Sequence, residues 1–525
     1  MTPRPAAATG GSKLRIPLLL LLTCLSLRVV SLCRPCLSDD EATYCVVGRE
    51  MLTGHVLYRD VVDHKPPLIY LTYATTQALG GRVGGMLFLH GMSILVVFAT
   101  ALLLGRIARR VAIDRGAADT ANHESIAAAA LYVVFSTTLF DFDALAANCE
   151  LFMMLPLTAS VVLYLSGARS ELRGSRLFAA GVLVGVAMFY KYQAGVQLPL
   201  YALYLAPLYR RRPLRVFQGV LALAGGMALV VAVCAGIMQW AGDLKDAWFW
   251  FRFNFAYIQE GLKISEVVGR AAIRLSYVII PALLIWLLGG AAAVRALVRR
   301  DNLDDPRRLD RLVAGWLVVS LFATTVGGRF FGHYFYQVIA PLAVLAAPMA
   351  LRLWISRRRL ILGATAVPAV IFLLLGIFRR PVMAAVGQAE PDYSAMAAFL
   401  DANSRPEDRL VIWGNTPVLY FEAERPLGCR FAFSNYQTGL SPATRTQSDP
   451  AADSSANIVP ESWDMFEDDV VARRPRLFVD TSPGNLGFYG KYPPAKYPRL
   501  KALLDRDYVS IGRVGGAEVL ALRGR

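Results

Sequence analysis

Ser38 to Tyr70 reads SDDEATYCVVGREMLTGHVLYRDVVDHKPPLIY and holds many of the side chains in this chain that could do chemistry. Three consecutive acids, Asp39, Asp40 and Glu41, are followed by Tyr44, then by His64 and Lys65 ahead of Pro66 and Pro67. Farther along stand Asp141, Asp143, Glu150, Lys191, Arg329, His333 and Tyr334. Carboxylates accept protons or hold hydroxyls, while ammonium, guanidinium and imidazole groups meet anions. All of these residues fall near the ends of apolar runs, where an ionised side chain is expensive and rarely kept idle.

The elements that must position them are membrane helices. Of 525 residues, 55% are hydrophobic and 18% charged, against about 25% charged in soluble domains. A bilayer-spanning helix needs roughly 17–25 apolar residues, and hydropathy predicts about eleven such spans, beginning at Leu14 and ending near Phe378. Basic blocks such as Arg106–Arg110, Arg210–Arg212, Arg299–Arg311 and Arg357–Arg359 follow every second span, on the side of the N-terminus. The positive-inside rule then predicts a multi-pass protein of the plasma membrane with a cytoplasmic N-terminus. The formal charge of +16 belongs to these loops; it meets anionic membrane lipids and implies no nucleic acid. The fold class is mainly α, a polytopic transmembrane helix bundle (residues 1–380). A small extracytoplasmic α/β domain (381–525) follows it.

Within the first external loop, residues 34–83, Ser38 and Glu41 have capping-box spacing. A helix is predicted from Asp39 to about Leu52, with Gly54 just past its end. It is too polar to cross the bilayer and too apolar to float free, so it lies along the interface. Pro66 and Pro67 open a second such helix through Ile69, Tyr70 and Tyr73. Glu41 has a sufficient task in the cap; Asp40 does not, which favours a functional role. In the tail, RLVIWG, RFAFS, RLFVDT and AEVLALR read as strands. Helices are expected at DYSAMAAFLDAN, PVLYFEAE, SWDMFEDDVVARR and PRLKALLDRDY, and Gly439–Pro460 as a mobile loop. Cys33 and Cys36 read as ordinary thiols or one local disulfide.

The stretch from Asp40 to Tyr70 resembles the first external loop of GT-C class integral-membrane glycosyltransferases. In particular it is similar to the family 39-like enzymes related to protein O-mannosyltransferases and aminoarabinose transferases. The matching residues are Asp40 and Glu41, Tyr44, Arg49 to Leu52, and Lys65 to Pro67. NCELFMMLP around Glu150, FYKYQ around Lys191, RFFGHYFYQVIAPLAVLAA after Gly328 and LVIWGNTPVLYFEAERP in the tail extend the resemblance to a bacterial branch. The extra acid Asp39 is a departure.

The resemblance implies inverting transfer of a sugar from a polyprenyl-phosphate donor to a hydroxyl of a lipid, glycan or protein. It makes Asp40 and Glu41 the catalytic candidates. Lys65, Lys191, Arg329 and His333 become donor-phosphate ligands, and Tyr44, His64, Glu150 and Tyr334 orient substrate. The aromatic segment from Trp248 to Tyr257 would sit at the interface. No cofactor is required by this pattern and no metal ligand is assigned, although a divalent metal stays open. The alternative class is a lipid flippase or transporter of envelope precursors, which calls for internal symmetry and mid-span charges; the sequence offers neither. An inactive envelope scaffold is the third reading.

Overall fold

The computed structural model describes residues 11–140, 144–168, 172–298, 309–385 and 391–524. Asp141, Asp143 and most of the basic stretch Arg299–Arg311 lie outside the described residues. The first helices are α1 (Gly11–Cys33), α2 (Asp39–Leu52), α3 (Pro67–Asp114), α4 (Ala121–Phe135), α5 (Cys149–Gly167) and α6 (Gly174–Met188). They are followed by α7 (Gln197–Leu208), α8 (Pro213–Ala241), α9 (Leu244–Gly261), α10 (Ile264–Ile279) and α11 (Leu283–Val298). The bundle closes with α12 (Leu309–Thr325), α13 (Tyr336–Ser356) and α14 (Arg358–Ala385).

The apolar runs fall on helices, but fewer than eleven of these, among the described residues, are long and apolar enough to span. Among the described residues six helices are long and apolar enough to cross a membrane. A seventh span exists if α10 and α11, bent by 101°, count as one. Four others predicted as spans are too short: α4 and α6 have 15 residues, α7 has 12 and α12 has 17. At about 1.5 Å per residue these reach roughly 18–26 Å, short of the ~30 Å hydrocarbon core. Hydropathy counts such helices as spans because it sees composition, not length after folding.

Both helices predicted within residues 34–83 are present. The first is α2, over the predicted residues. The second is the opening of α3, with Pro67 at its first position. It ends at Gly81, whose φ of 65° breaks the helix before the long membrane-crossing part begins. Only glycine takes this conformation without a Cβ penalty.

The C-terminal domain holds a mixed sheet in the order β1-β2-β4-β3. Strand β1 (Leu410–Trp413) runs parallel to β2 (Leu477–Asp480), and β4 (Ala517–Leu522) is antiparallel to both β2 and β3 (Tyr508–Val514). Before β1 lies α15 (Tyr393–Ala402), and the long crossover from β1 to β2 carries α16 (Pro417–Ala423) and α17 (Ser462–Arg473). Ahead of β3 lies α18 (Pro498–Asp507).

Two expectations for the tail are corrected. RFAFS is not a strand in the sheet. Its Phe431 forms a single bridge with Val62 of the first external loop, and Val62 N donates to Arg430 O at 2.8 Å. Gly439–Pro460 is not a loose loop. Leu440, Ser441, Thr444, Thr446 and Ser454 are buried, and the hydroxyls of Thr444, Thr446 and Ser454 bond nearby backbone, as in Ser454 Oγ to Thr438 O at 2.6 Å. Such local side-chain bonds let a Ser/Thr-rich segment fold without regular structure.

The two parts are pinned together around α2. Leu427 N donates to Glu50 Oε1 at 3.1 Å, and Arg49 donates to Arg425 O at 2.8 Å. Arg82 pairs with Glu422 at 3.1 Å.

Candidate functional site

Between the bundle and the C-terminal domain lies a cavity of about 1460 Å³. The bundle lines it with the start of α2, the 63–65 loop, one face of α9 and residues 331–334. The C-terminal domain supplies loops from 391 to 461.

The acids are separated by the helix that carries them. Ser38 caps α2 by accepting from Glu41 N at 3.2 Å. Successive residues point about 100° apart on a helix, so three in a row cannot all face the same side. Asp39 and Asp40 line the cavity. Glu41 turns inward and is fully buried. Its carboxylate accepts from Leu37 N at 2.7 Å and Ala147 N at 2.6 Å, and His90 Nε2 lies 3.0 Å away. Glu41 is therefore an anchor between α2, α3 and the 144–148 loop, and not a second carboxylate facing the cavity. Asp39 is open to solvent at the cavity mouth but walled by protein on its sides. That enclosure, and secondarily the charge of Asp40, raises its carboxyl to about 7.

Lys65 is held by a compact loop. Tyr58 sits at φ 68° and donates its hydroxyl to Lys65 O at 2.7 Å. Asp63, whose Oδ1 lies 2.9 Å from His64 Nδ1, accepts from Tyr70 Oη at 2.7 Å. Lys65 Nζ stands 3.2 Å from His64 Nε2. Burial and the Lys65 charge hold His64 below its ordinary value, so the ring is neutral and its free nitrogen can accept from the ammonium. Burial alone would lower Lys65 as well, but the charges of Asp40 and Asp63 outweigh it and keep the lysine above its usual range. Burial would raise Asp63, yet His64 and Lys65 hold it well below the usual carboxylate range. The result is a fixed cation facing a cavity that also contains Asp40.

Lys191 is the second cation. It stands in an extended residue between α6 and a short 3-10 turn, 2.9 Å from Glu150 and 4.7 Å from the Tyr334 ring centre. Glu150 sits in the first turn of α5. The loop before it is clamped by side chains from three other helices. Arg28, fully buried in α1, donates to Leu145 O at 2.6 Å, Tyr73 donates to Ala147 O at 3.1 Å, and Tyr336 donates to Ala144 O. Lys65, Lys191, His64, His333 and Tyr334 all line the cavity.

Among the described residues that line it, Glu41, Tyr44, Glu150 and Arg329 are missing. Tyr44 is buried edge-on between Tyr70 and Tyr73, so it fills the core behind the site. Glu150 reaches the cavity through its ion pair with Lys191. Arg329 is fully buried and spends its guanidinium on protein. It donates to Pro442 O at 2.5 Å, Ser441 Oγ at 2.9 Å and Tyr257 O at 3.0 Å, with the Tyr257 ring 4.3 Å away. Gly328, at φ 61°, makes this placement possible, because a β-carbon there would come within 2.3 Å of Gly261 O. Arg329 thus ties α9 to the 439–460 segment. Arg329→Ala should loosen that segment by about 1.5–3 kcal/mol, the worth of hydrogen bonds to a charged group. The measurement is tryptic cleavage after exposed Arg445, which should accelerate; unchanged cleavage would contradict the tie.

Sequence reasoning missed Asp63, Arg252, Lys263 and Arg274, which line the cavity. Arg274 packs 4.6 Å from the Phe331 ring centre. The aromatic segment divides. Trp248 and Phe255 are exposed, whereas Trp250 is buried against Tyr436 and donates to Tyr58 O at 3.1 Å. Among the described residues no group of three or more His, Cys, Asp or Glu is placed to hold a metal ion.

No protein-family model matches the chain, and no curated protein matches it. Several solved structures do, and two of them carry the comparison. One is ArnT from Cupriavidus metallidurans bound to undecaprenyl phosphate, at 16% identity over 98% of both chains, with a TM-score of 0.57. The other is the archaeal oligosaccharyltransferase AglB from Archaeoglobus fulgidus in complex with an inhibitory peptide and a dolichol-phosphate. It is 12% identical over 97% of this chain and 74% of its own, with a TM-score of 0.51. These likenesses establish a GT-C-like fold: a multi-pass helical membrane protein with a small C-terminal mixed-sheet domain.

Proposed function

We propose that this chain is a membrane glycosyltransferase that moves a sugar from a polyprenyl-phosphate donor to a hydroxyl acceptor, with inversion. One observation carries the reading: Asp40 shares a single cavity with the cations Lys65 and Lys191. The two solved structures described above each hold a polyprenyl-type phosphate, which agrees with it. The cavity lies at the end of α13 where Tyr334 stands, opposite the end that carries Arg352. With basic loops cytoplasmic, the cavity is extracytoplasmic.

The steps follow from the side chains. The acceptor oxygen attacks the anomeric carbon from the face opposite the phosphate. The bond from that carbon to the phosphate oxygen breaks, and polyprenyl phosphate leaves. Asp40 takes the acceptor proton as the new bond forms, a role suited to a weak base that acts late. The leaving phosphate needs its charge met rather than a proton. Lys65, oriented by His64, and Lys191, held by Glu150, stand where that charge develops.

Asp39 gives the reaction a pH dependence. Its carboxyl, raised to about 7, is protonated below that pH and ionises above it. Ionisation adds a negative charge beside Asp40 in a cavity that must hold an anionic donor. The Michaelis constant for donor should therefore rise as pH increases through about 7, and Asp39→Asn should flatten the rise. An unchanged profile in the variant would remove Asp39 from the explanation.

The reading is tested with purified protein in lipid and a panel of polyprenyl-phosphate sugars. Release of polyprenyl phosphate coupled to acceptor glycosylation supports it. Movement of the lipid or a solute across the bilayer without donor consumption would replace it with the flippase reading.

A further inference from the structure

The two walls of the cavity differ in charge. The lysines and arginines that line it, Lys65, Lys191, Arg252, Lys263 and Arg274, all stand on the bundle, as do His64 and His333. The wall formed by residues 391–461 contributes no basic side chain among the described residues. It offers the amides of Asn415, Asn435, Gln447 and Asn457. Carboxylates come from Asp392, Glu461 and Glu422, the last paired with Arg82, and an aromatic face from the half-buried Phe433. Two of the amides are oriented: Asn435 Nδ2 donates to Asn415 Oδ1 at 3.1 Å, and Tyr489 donates to Asn435 Oδ1 at 3.2 Å. Each asparagine keeps amide hydrogens for a ligand.

A sugar hydroxyl both donates and accepts, so amides and carboxylates meet it on both counts, and aromatic faces cover its apolar side. A phosphorylated ligand would meet carboxylates here and no cation, and like-charge juxtaposition suppresses such partners. A peptide is commonly taken by strand addition to an open sheet edge, and this wall presents none. Beyond β1, Ser434 N already donates to Gly414 O at 2.9 Å, and no residue of β3 lines the cavity.

We propose that this wall is a subsite for a neutral glycan, which serves as the acceptor and is selected against anionic acceptors. Only the acceptor role rests on the transferase reading; glycan binding stands without it.

The test uses the full chain in lipid nanodiscs. The probes are fluorescent neutral tetrasaccharides of glucose, mannose and galactose, the same sugars bearing one phosphate, a serine-rich decapeptide, and undecaprenyl phosphate. At least one neutral tetrasaccharide should bind, with its phosphorylated form about tenfold weaker. Asn435→Ala should weaken the neutral probe about tenfold and leave undecaprenyl phosphate binding unchanged. Ala456→Lys, at an exposed lining position, should recover most of the binding lost on phosphorylation. Neutral-glycan binding without undecaprenyl phosphate binding would uphold this subsite and sink the donor reading. Preference for the phosphorylated sugar or the decapeptide would overturn the proposal. So would binding of no neutral tetrasaccharide, or both variants behaving as wild type.

Discussion

Asp40→Asn should lower the rate of sugar transfer by about 10²–10⁴-fold, the usual contribution of a positioned general base. The amide keeps the shape of the carboxylate and loses its proton affinity, so donor binding should survive. Two neighbours make the assignment sharp. Glu41 cannot substitute, because its oxygens are already taken by Leu37 N and Ala147 N, with His90 beside them. Asp39 lines the cavity, but its carboxyl, raised to about 7, is partly protonated at neutral pH. Single-turnover transfer at saturating donor is the measurement. A variant within threefold of wild type would move the base elsewhere. Glu41→Gln should instead weaken the packing of α2 against α3, since a buried acceptor becomes an amide beside two backbone donors.

Lys65→Met should cost about 10²–10³-fold in transfer, the scale of one preorganised electrostatic contact to a developing charge. The loop around it should hold. Asp63 keeps its bonds to His64 N and to Tyr70, at 2.7 Å each, and Tyr58 bonds only the backbone carbonyl of residue 65. Undecaprenyl phosphate affinity should fall together with the rate, which distinguishes a phosphate contact from damage to the base. A lowered rate with full phosphate affinity would make Lys65 a partner of Asp40 alone. Lys65→Arg is expected to rescue poorly, because the ammonium fits 3.2 Å from His64 Nε2 and a guanidinium fork does not reproduce that point contact.

What the sequence made legible follows from how far each signal reaches. The Ser38 cap, the α2 boundaries and Pro67 at the start of α3 depend on neighbours within four residues, and they read correctly. The placement of Asp40 and Lys65 at the cavity follows from those local elements. That Glu41 turns away from the cavity was not legible, because its contacts come from His90 and Ala147, 49 and 106 residues away. The burial of Arg329 was hidden for the same reason, since its partners Ser441 and Pro442 lie 112 and 113 residues on. Arg274 carries no local signal except its place on an amphipathic α10. Strand β3 escaped notice because its mostly exposed residues, with a register shift between Ser510 and Gly512, lack alternating apolar side chains. The expected eleven spans exceed the six or seven helices that are long and apolar enough among the described residues, because hydropathy does not see where an apolar helix stops.

The most direct measurement is an electron-microscopy structure of the protein in a nanodisc with undecaprenyl phosphate added. The expected result is a phosphate group in the cavity between the bundle and the C-terminal domain, within about 4 Å of the Lys65 and Lys191 ammonium groups, with Asp40 facing the same space. A phosphate seated at the opposite end of α13, among Arg115, Arg295 and Arg352, with the large cavity holding none, would contradict it.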